Sequence, residues 1–222
     1  MPTTRANRRR RRSASVENNW ELWAHIEPDA ARRILLSALE AFAARGFHAA
    51  TTREIGEAAG LSPAGVYVHY RSKHDLLFEI SRIGHEAVLV AVEAALSEAS
   101  SDPAERVYAF IAAFAKWHAD NHVLARVIQY EFKNLPTAQF RKIVLIRKRF
   151  ESLMRDELAT GVRMGAFEVA DLEGTTLAVL SLCIDLARWW EPSVQHTSEG
   201  VAKLYANLVI GMLRGSVPAS FV

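Results

Sequence analysis

Cysteine is nearly missing from this 222-residue chain: Cys183 is the single thiol, which excludes intrachain disulfides and any cysteine-rich metal site. Glycine and proline are sparse, at 11 and 7 residues, so collagen-like and low-complexity architectures fail as well. No uncharged apolar run reaches the roughly 18 residues a membrane-crossing helix needs. The Arg-rich start is not followed by an apolar segment of the signal-peptide kind. A reducing, cytoplasmic setting with no membrane attachment is therefore expected. Also absent are a Gly-x-Ser-x-Gly elbow, a glycine-rich phosphate loop after a strand, and any motif around the one thiol, so nothing points to an enzyme. What is present is a chain that is 50% hydrophobic and 23% charged. At this length about 70% of the unfolded surface can be buried, enough for a self-sufficient core.

Charge is unevenly placed. Of 27 basic residues, six (Arg5 and Arg8 to Arg12) fall in the first twelve positions without an acid, and the rest of the chain holds 21 basic against 25 acidic residues. The basic character belongs to a tail, not to the globule. Residues 1–19 carry almost no large apolar side chain, cannot offset the entropy of ordering, and are expected to form a disordered basic arm. Such an arm suits a polyanion, and a merely solvated arm is the alternative.

Beyond Trp20, Leu22, Trp23 and Ile26, a short apolar cluster ahead of Pro28, the apolar spacing is helical nearly everywhere. Ile34, Leu35, Ala38, Leu39 and Phe42 mark one helix face that Gly46 ends. Thr51 or Thr52 with Arg53-Glu54 reads as a capping box opening a second helix that Gly60 stops. Ser62 as N-cap and Pro63 at the first helical position open a third, reaching Tyr70. Ser72 caps a long helix from Lys73 to about Ser100, and Asp102-Pro103 starts another to about Ala119. Later helices are expected over 122–133, 137–165, 171–190 and 196–214. No run of alternating strands occurs. The expectation is an all-α chain of about nine helices, with a three-helix DNA-binding domain over 20–77 and a larger helical body over 78–222.

Two short helices joined at Ala59-Gly60-Leu61 have the proportions of a helix-turn-helix. Small residues Ala58, Ala59 and Gly60 allow a close crossing, and Ile55, Leu61 and Val66 can fill the space between. Ala64 and Gly65 leave the second helix slim enough to enter a major groove about 12 Å wide.

The segment from Ala31 to Leu77 resembles the DNA-binding domain of TetR family transcriptional repressors. Thr-Thr-Arg-x-Ile, Ala-Gly-Leu-Ser, Val-Tyr-x-His-Tyr and Ser-Lys-x-x-Leu-Leu follow in order and register within 27 residues. The resemblance implies a palindromic double-stranded DNA operator as partner. It implies that Tyr67 and Lys73 grip phosphates, with Thr51 or Thr52 and Ser62 donating from helix starts; these contacts position without reading sequence. Arg53, Pro63, Ala64, Gly65 and His69 fall where the family reaches base edges, although a histidine there more often touches phosphate. Arg53 is the residue able to read guanine bidentately. Pro63, Ala64 and Gly65 offer no side-chain donor, so readout from them leans on thymine methyls, backbone approach and DNA shape. Tyr70, kept among the candidates, reads more naturally as a core or hinge aromatic.

The resemblance makes residues 78–222 a ligand-sensing and dimerisation domain. Leu177, Leu180, Ile184 and Trp189 mark one apolar face; Val201, Leu204, Leu208 and Met212 mark another. Two such helices from each subunit would build the four-helix interface of a homodimer, and intrachain packing is the alternative. Phe110, Phe114, Trp117 and His118 share one helix face and, with Arg126, Gln129 and Tyr130 on the next helix, are candidate walls of an effector pocket. The stretches around Asn121 to Glu131 and Ala187-Arg188-Trp189-Trp190 also resemble repressors of steroid and fatty-acid catabolism. That likeness implies an acyl-CoA thioester as effector, with Arg188 or Arg126 meeting the CoA phosphates and Trp189 nearby. No other cofactor is expected.

Two rivals stand beside this reading. His118 and His122 have metal-like spacing, but Asp120-Asn121 between them reads as a helix break, so no metal is expected. A helical protein using its arm for RNA or acidic surfaces, without operator specificity, is the other. For the switch, the long helix from Lys73 would carry an effector-driven tilt to the DNA head, changing the spacing of two recognition helices.

Overall fold

The computed structural model describes residues 20–192 and 197–215. Among these residues the chain is all-α: no strand occurs, and nine helices exceed a single turn. They are α1 (Asp29–Ala49), α2 (Thr52–Ala58), α3 (Pro63–His69), α4 (Lys73–Glu98), α5 (Pro103–Asp120), α6 (His122–Glu131), α7 (Thr137–Arg163), α8 (Leu172–Ile184) and α9 (Ser198–Arg214). Trp20–Trp23, a 3-10 turn at Phe132–Asn134, and Leu186–Trp189 are single-turn pieces. The arm expected over 1–19 lies outside the described residues, as does the expected start of the last helix at 196.

Side-chain caps place most helix starts where the sequence puts them. Thr51 and Glu54 form a reciprocal capping box on α2. Ser62 Oγ accepts from the Gly65 N–H ahead of Pro63 on α3, and Ser72 Oγ accepts from the Asp75 N–H on α4. Asp102 Oδ1 accepts from Ala104 and Glu105 on α5. Gly46, at φ 80°, interrupts α1, and one further turn follows it. Two expectations are corrected. The helix expected over 171–190 breaks at Asp185, whose two carboxylate oxygens accept from Nε and Nη2 of Arg188, each at 2.8 Å, while the chain tightens through an Arg188 N–H to Asp185 carbonyl bond. The helix expected to reach 133 ends at Glu131 and closes as the 3-10 turn.

The described residues form two compact units, one of residues 20–87 together with 123–144, the other of 88–122 together with the described residues from 145 to 215. The boundary after residue 77 expected from the motif falls within α4. That helix supplies Leu76, Leu77 and Ile80 to the buried set of unit 1, and Val88, Val92 and Leu96 to the core of unit 2. In unit 1 the first three helices pack on one another, burying Ile34, Leu35, Phe42, Ile55 and Val66. In unit 2, α9 packs along α5 around Phe110, Ile111, Phe114, Met154, Leu158, Leu186 and Val209. Arg106 of α5 binds Glu157 of α7 through two bonds, at 2.7 and 2.6 Å, and also donates to the Leu96 carbonyl.

The end of α7 shows how one glycine sets a packing contact. Gly165, at φ +70°, turns the chain, and the Ala166 N–H returns to the Gly161 carbonyl at 2.8 Å. Buried Phe167 thereby lies over Gly161, where an added Cβ would stand 2.1 Å from the ring. An open helical glycine gains about 1 kcal/mol on change to alanine. Gly161→Ala is expected to do the reverse, lowering stability by about 1–3 kcal/mol through overpacking, as read from the urea denaturation midpoint.

Candidate nucleic-acid interface

The helix-turn-helix is α2, the turn Ala59–Ser62, and α3. Gly60, at φ +72°, takes the conformation that stops α2, and the Leu61 N–H returns to the Gly56 carbonyl at 2.8 Å. The close approach is made at Gly56: a Cβ there would meet Val66 Cγ2 at 2.9 Å and the Leu61 and Ser62 carbonyls at 3.3 Å. This corrects the role given to Ala58, which is exposed. Ala59 is buried as expected, and Val66 is fully enclosed. Near the start of α2, the Thr52 and Tyr67 hydroxyls share a hydrogen bond of 3.1 Å and tie the two helices together at the surface.

Several expected phosphate contacts have other work in this chain. Thr51 Oγ1 donates to Glu54 Oε2 at 2.7 Å and accepts the Glu54 N–H, so its hydroxyl caps α2. Arg45 also binds that carboxylate; its hydrogen bond, then those from Thr51, hold Glu54 down at about 2. Lys73 also has a role within unit 1. Its ammonium donates to the carbonyls of Phe47, His48 and Ala50 at 2.6, 3.2 and 2.8 Å, and sits 4.5 Å from the Phe47 ring centre. It therefore closes the C-terminal end of α1, where orphan carbonyls and the helix dipole favour a cation.

Among the expected base readers, Arg53 is exposed and pairs along α2 with Glu57, Nε to Oε1 at 2.9 Å. Its two terminal amino groups lie outside that bond. The Glu57 hydrogen bond and charge raise its pKa further. Pro63 and Ala64 are exposed, Ser62 is exposed beyond its capping bond, and Gly65 and His69 are half-buried. Tyr67 is half exposed. Tyr70 is half-buried: its hydroxyl donates to the Ala31 carbonyl at 3.4 Å, and burial pushes it up to about 12. Val68, absent from the sequence-based candidates, is 79% exposed. A helical-wheel count from Val66 would have placed it outward.

In unit 2, Phe110, Phe114 and His118 lie in the core, with Trp117 at its edge. His118 Nδ1 is bonded to the Phe114 carbonyl at 2.8 Å, and its ring is 4.5 Å from that of Phe114. Burial first, and the charge of Arg147 in addition, lower His118 to about 4 against the opposing pull of that bond. Arg147 is half-buried and itself lowered by desolvation; its position at the start of the basic run Arg147-Lys148-Arg149 gave no sign of this. His122, on α6, bonds through Nδ1 to the Ala119 carbonyl, so the two imidazoles belong to separate helices. Arg126, half-buried, and exposed Gln129 and Tyr130 lie in unit 1. Arg188 is exposed and engaged by Asp185, and Trp189 packs edge-on against Trp190.

Of the expected interface residues, Leu204, Leu208 and Met212 form a stripe along α9, each more than half exposed, and Leu177 on α8 is exposed likewise. Leu182, not anticipated, is also open at 40%. Leu180 and Val201 are corrected to core positions. Leu180 falls on the same arc of α8 as buried Thr176, Val179 and Cys183, and Val201 is taken into the core at the first turn of α9. Ile184 is half-buried. Among the described residues no helix is long and apolar enough to cross a membrane, and no three His, Cys, Asp or Glu side chains converge as a metal site.

Residues 34–80 match the family described as bacterial regulatory proteins, tetR family, and residues 100–213 match the tetracyclin repressor-like C-terminal domain. A bacterial regulatory protein in the tetR family from Rhodococcus RHA1 has the same fold, with TM-score 0.78 at 37% identity, over 85% of this chain and 98% of its own. The HTH-type transcriptional repressor KstR2 of Rhodococcus jostii is 27% identical over 171 residues, 76% of this chain and 83% of its own length. AibR, solved in complex with isovaleryl coenzyme A and operator DNA, shares the fold at 22% identity and TM-score 0.73, over 83% of this chain and 97% of its own.

The position of Lys73 separates a structural role from a phosphate grip. Lys73→Met removes three charge-assisted hydrogen bonds and is expected to lower the stability of the protein free of DNA by about 2 kcal/mol, read as a fall in the denaturation midpoint. A side chain that served DNA alone would leave that midpoint unchanged.

Proposed function

This chain belongs to the TetR family of bacterial regulatory proteins. On that premise we propose that it is a transcriptional repressor in the cytoplasm. It binds a palindromic operator as a homodimer and leaves it when an acyl-CoA thioester occupies unit 2. The observation that carries the DNA reading is α3. It is a seven-residue helix held to α2 by the Gly56 approach and the Thr52–Tyr67 bond, with its opposite side open to a groove. Tyr67 and Ser62 would meet phosphates, and Arg53 would exchange or extend its Glu57 contact to reach a base edge. Lys73 would act on DNA indirectly, by fixing the end of α1 beneath the head.

Homodimerisation is supported by the exposed stripe Leu204, Leu208, Met212 with Leu177, apolar surface of the kind that marks an association face. Pairing two heads also supplies the half-site spacing of roughly 34–36 Å that a twofold operator requires. Support for an acyl-bearing effector comes from the aromatic face of α5, with neutral His118 and the nearby cation Arg147 as its polar elements. A CoA thioester combines an apolar acyl group with phosphates, matching aromatic walls and an arginine. AibR, of the same fold, was solved with such an ester.

The switch would work through α4, whose 26 residues, about 39 Å of helix, contribute to the buried sets of both units. An effector that binds one setting of this helix better than another shifts the population of operator-competent dimer by that difference in affinity.

Selection from random duplexes is expected to return a twofold-symmetric site, bound by a dimer with affinity that falls steeply with salt. Titration of that complex with CoA esters of graded acyl length is expected to release the DNA, and free CoA to release less. A protein that stays monomeric and binds every polyanion equally contradicts the operator reading. Release by no CoA ester contradicts the effector class alone.

A further inference from the structure

Within α3 the one fully enclosed side chain is Val66. At 100° per residue the direction opposite Val66 falls between Ala64 and Val68, which stand one turn apart, with Tyr67 and Gly65 on the flanks. The burial follows this count: Ala64 and Val68 are exposed, Val68 at 79%, the highest exposure of any large apolar side chain among the described residues. The crest of the helix is thus a pair of hydrocarbon groups. The polar groups beside it are engaged elsewhere: the Tyr67 hydroxyl with Thr52, Arg53 Nε with Glu57, and Ser62 Oγ with the Gly65 N–H.

Val68 does nothing for the fold that would account for it. A β-branched side chain on an exposed helix position is less favourable than alanine there, and 79% of its surface faces water. In a major groove the one apolar feature offered by a base edge is the 5-methyl group of thymine. We infer that Val68, with Ala64 beside it, is a specificity-determining residue that reads thymine through that methyl group. The central part of each half-site is then chosen by hydrocarbon contact and not by hydrogen bonds. This rests on the operator reading above and names what the crest of α3 recognises.

The test begins with the duplex returned by selection with the full-length protein. Its thymines are replaced by deoxyuridine, one symmetric pair at a time, which removes the methyl and leaves every hydrogen-bonding group in place. At one or two positions per half-site, wild-type affinity is expected to fall about fourfold per methyl, and so roughly fifteenfold for a symmetric pair. Val68→Ala is expected to bind the thymine duplex more weakly than wild type and to lose most of the deoxyuridine penalty. Val68→Thr, which keeps one methyl and the side-chain shape, should retain part of it. Both variants should melt with the wild-type protein, because the side chain is exposed. A selected site to which wild type binds equally well with deoxyuridine throughout overturns the inference and leaves the operator reading standing. A Val68→Ala protein that keeps the whole penalty overturns it too. A selection with no preferred sequence overturns both.

Discussion

The contact of α2 with α3 across Gly56 is the constraint on which the DNA head depends. The space there is smaller than one methyl group, bounded by Val66 and by the carbonyls of Leu61 and Ser62. Because the backbones approach so closely, Val66 is sealed inward, and the remaining side chains of a seven-residue helix are committed to outward positions. The surface available to a groove is then fixed by residue order alone: Ala64 and Val68 at the crest, Tyr67 to one side, and Gly65 to the other. A helix this short cannot hold itself together in water. Its shape is borrowed from α2 and, through Tyr70 and Lys73, from α1.

Polar side chains in the head are spent mainly on that support. Thr51, Glu54 and Arg45 form one connected group at the start of α2, and Lys73 takes three carbonyls at the C-terminal end of α1 and its cap, those of Phe47, His48 and Ala50. In unit 2 the balance is different. Ion pairs such as Arg106–Glu157 hold helices together at the margin, while the aromatic core encloses a neutral imidazole, His118, within the influence of a desolvated cation. The same helix, α4, is built into both cores, so a change in one has a covalent route to the other.

Much of this was legible in the residues because it is local. Capping pairs at Thr51 and Glu54, Ser62 with Pro63, and Asp102 with Pro103 act over two or three residues, and the glycine stop at Gly60 is a backbone preference of one residue. The all-helical fold and the helix-turn-helix followed from these together with apolar spacing. What stayed hidden depends on distant partners. The carbonyls that take Lys73 lie 23 to 26 residues earlier in the chain, so its motif position suggested phosphate. Leu180 and Val201 obey the same spacing as Leu177 and Leu204, and only the packing of unit 2 distinguishes core from open face. Arg147 looks like any surface cation in a basic stretch until the fold desolvates it. The break at Asp185, where that residue pairs with Arg188, is not something helix periodicity reports.

The central claim is that two copies of α3 enter neighbouring major grooves as a twofold pair. Hydroxyl-radical footprinting of the bound operator reads this directly. Two protected zones centred about one helical turn, roughly 10 base pairs, or a small multiple of it apart, related by the dyad of the site, are the predicted result. A single protected zone, or protection spread evenly along the duplex, would contradict it.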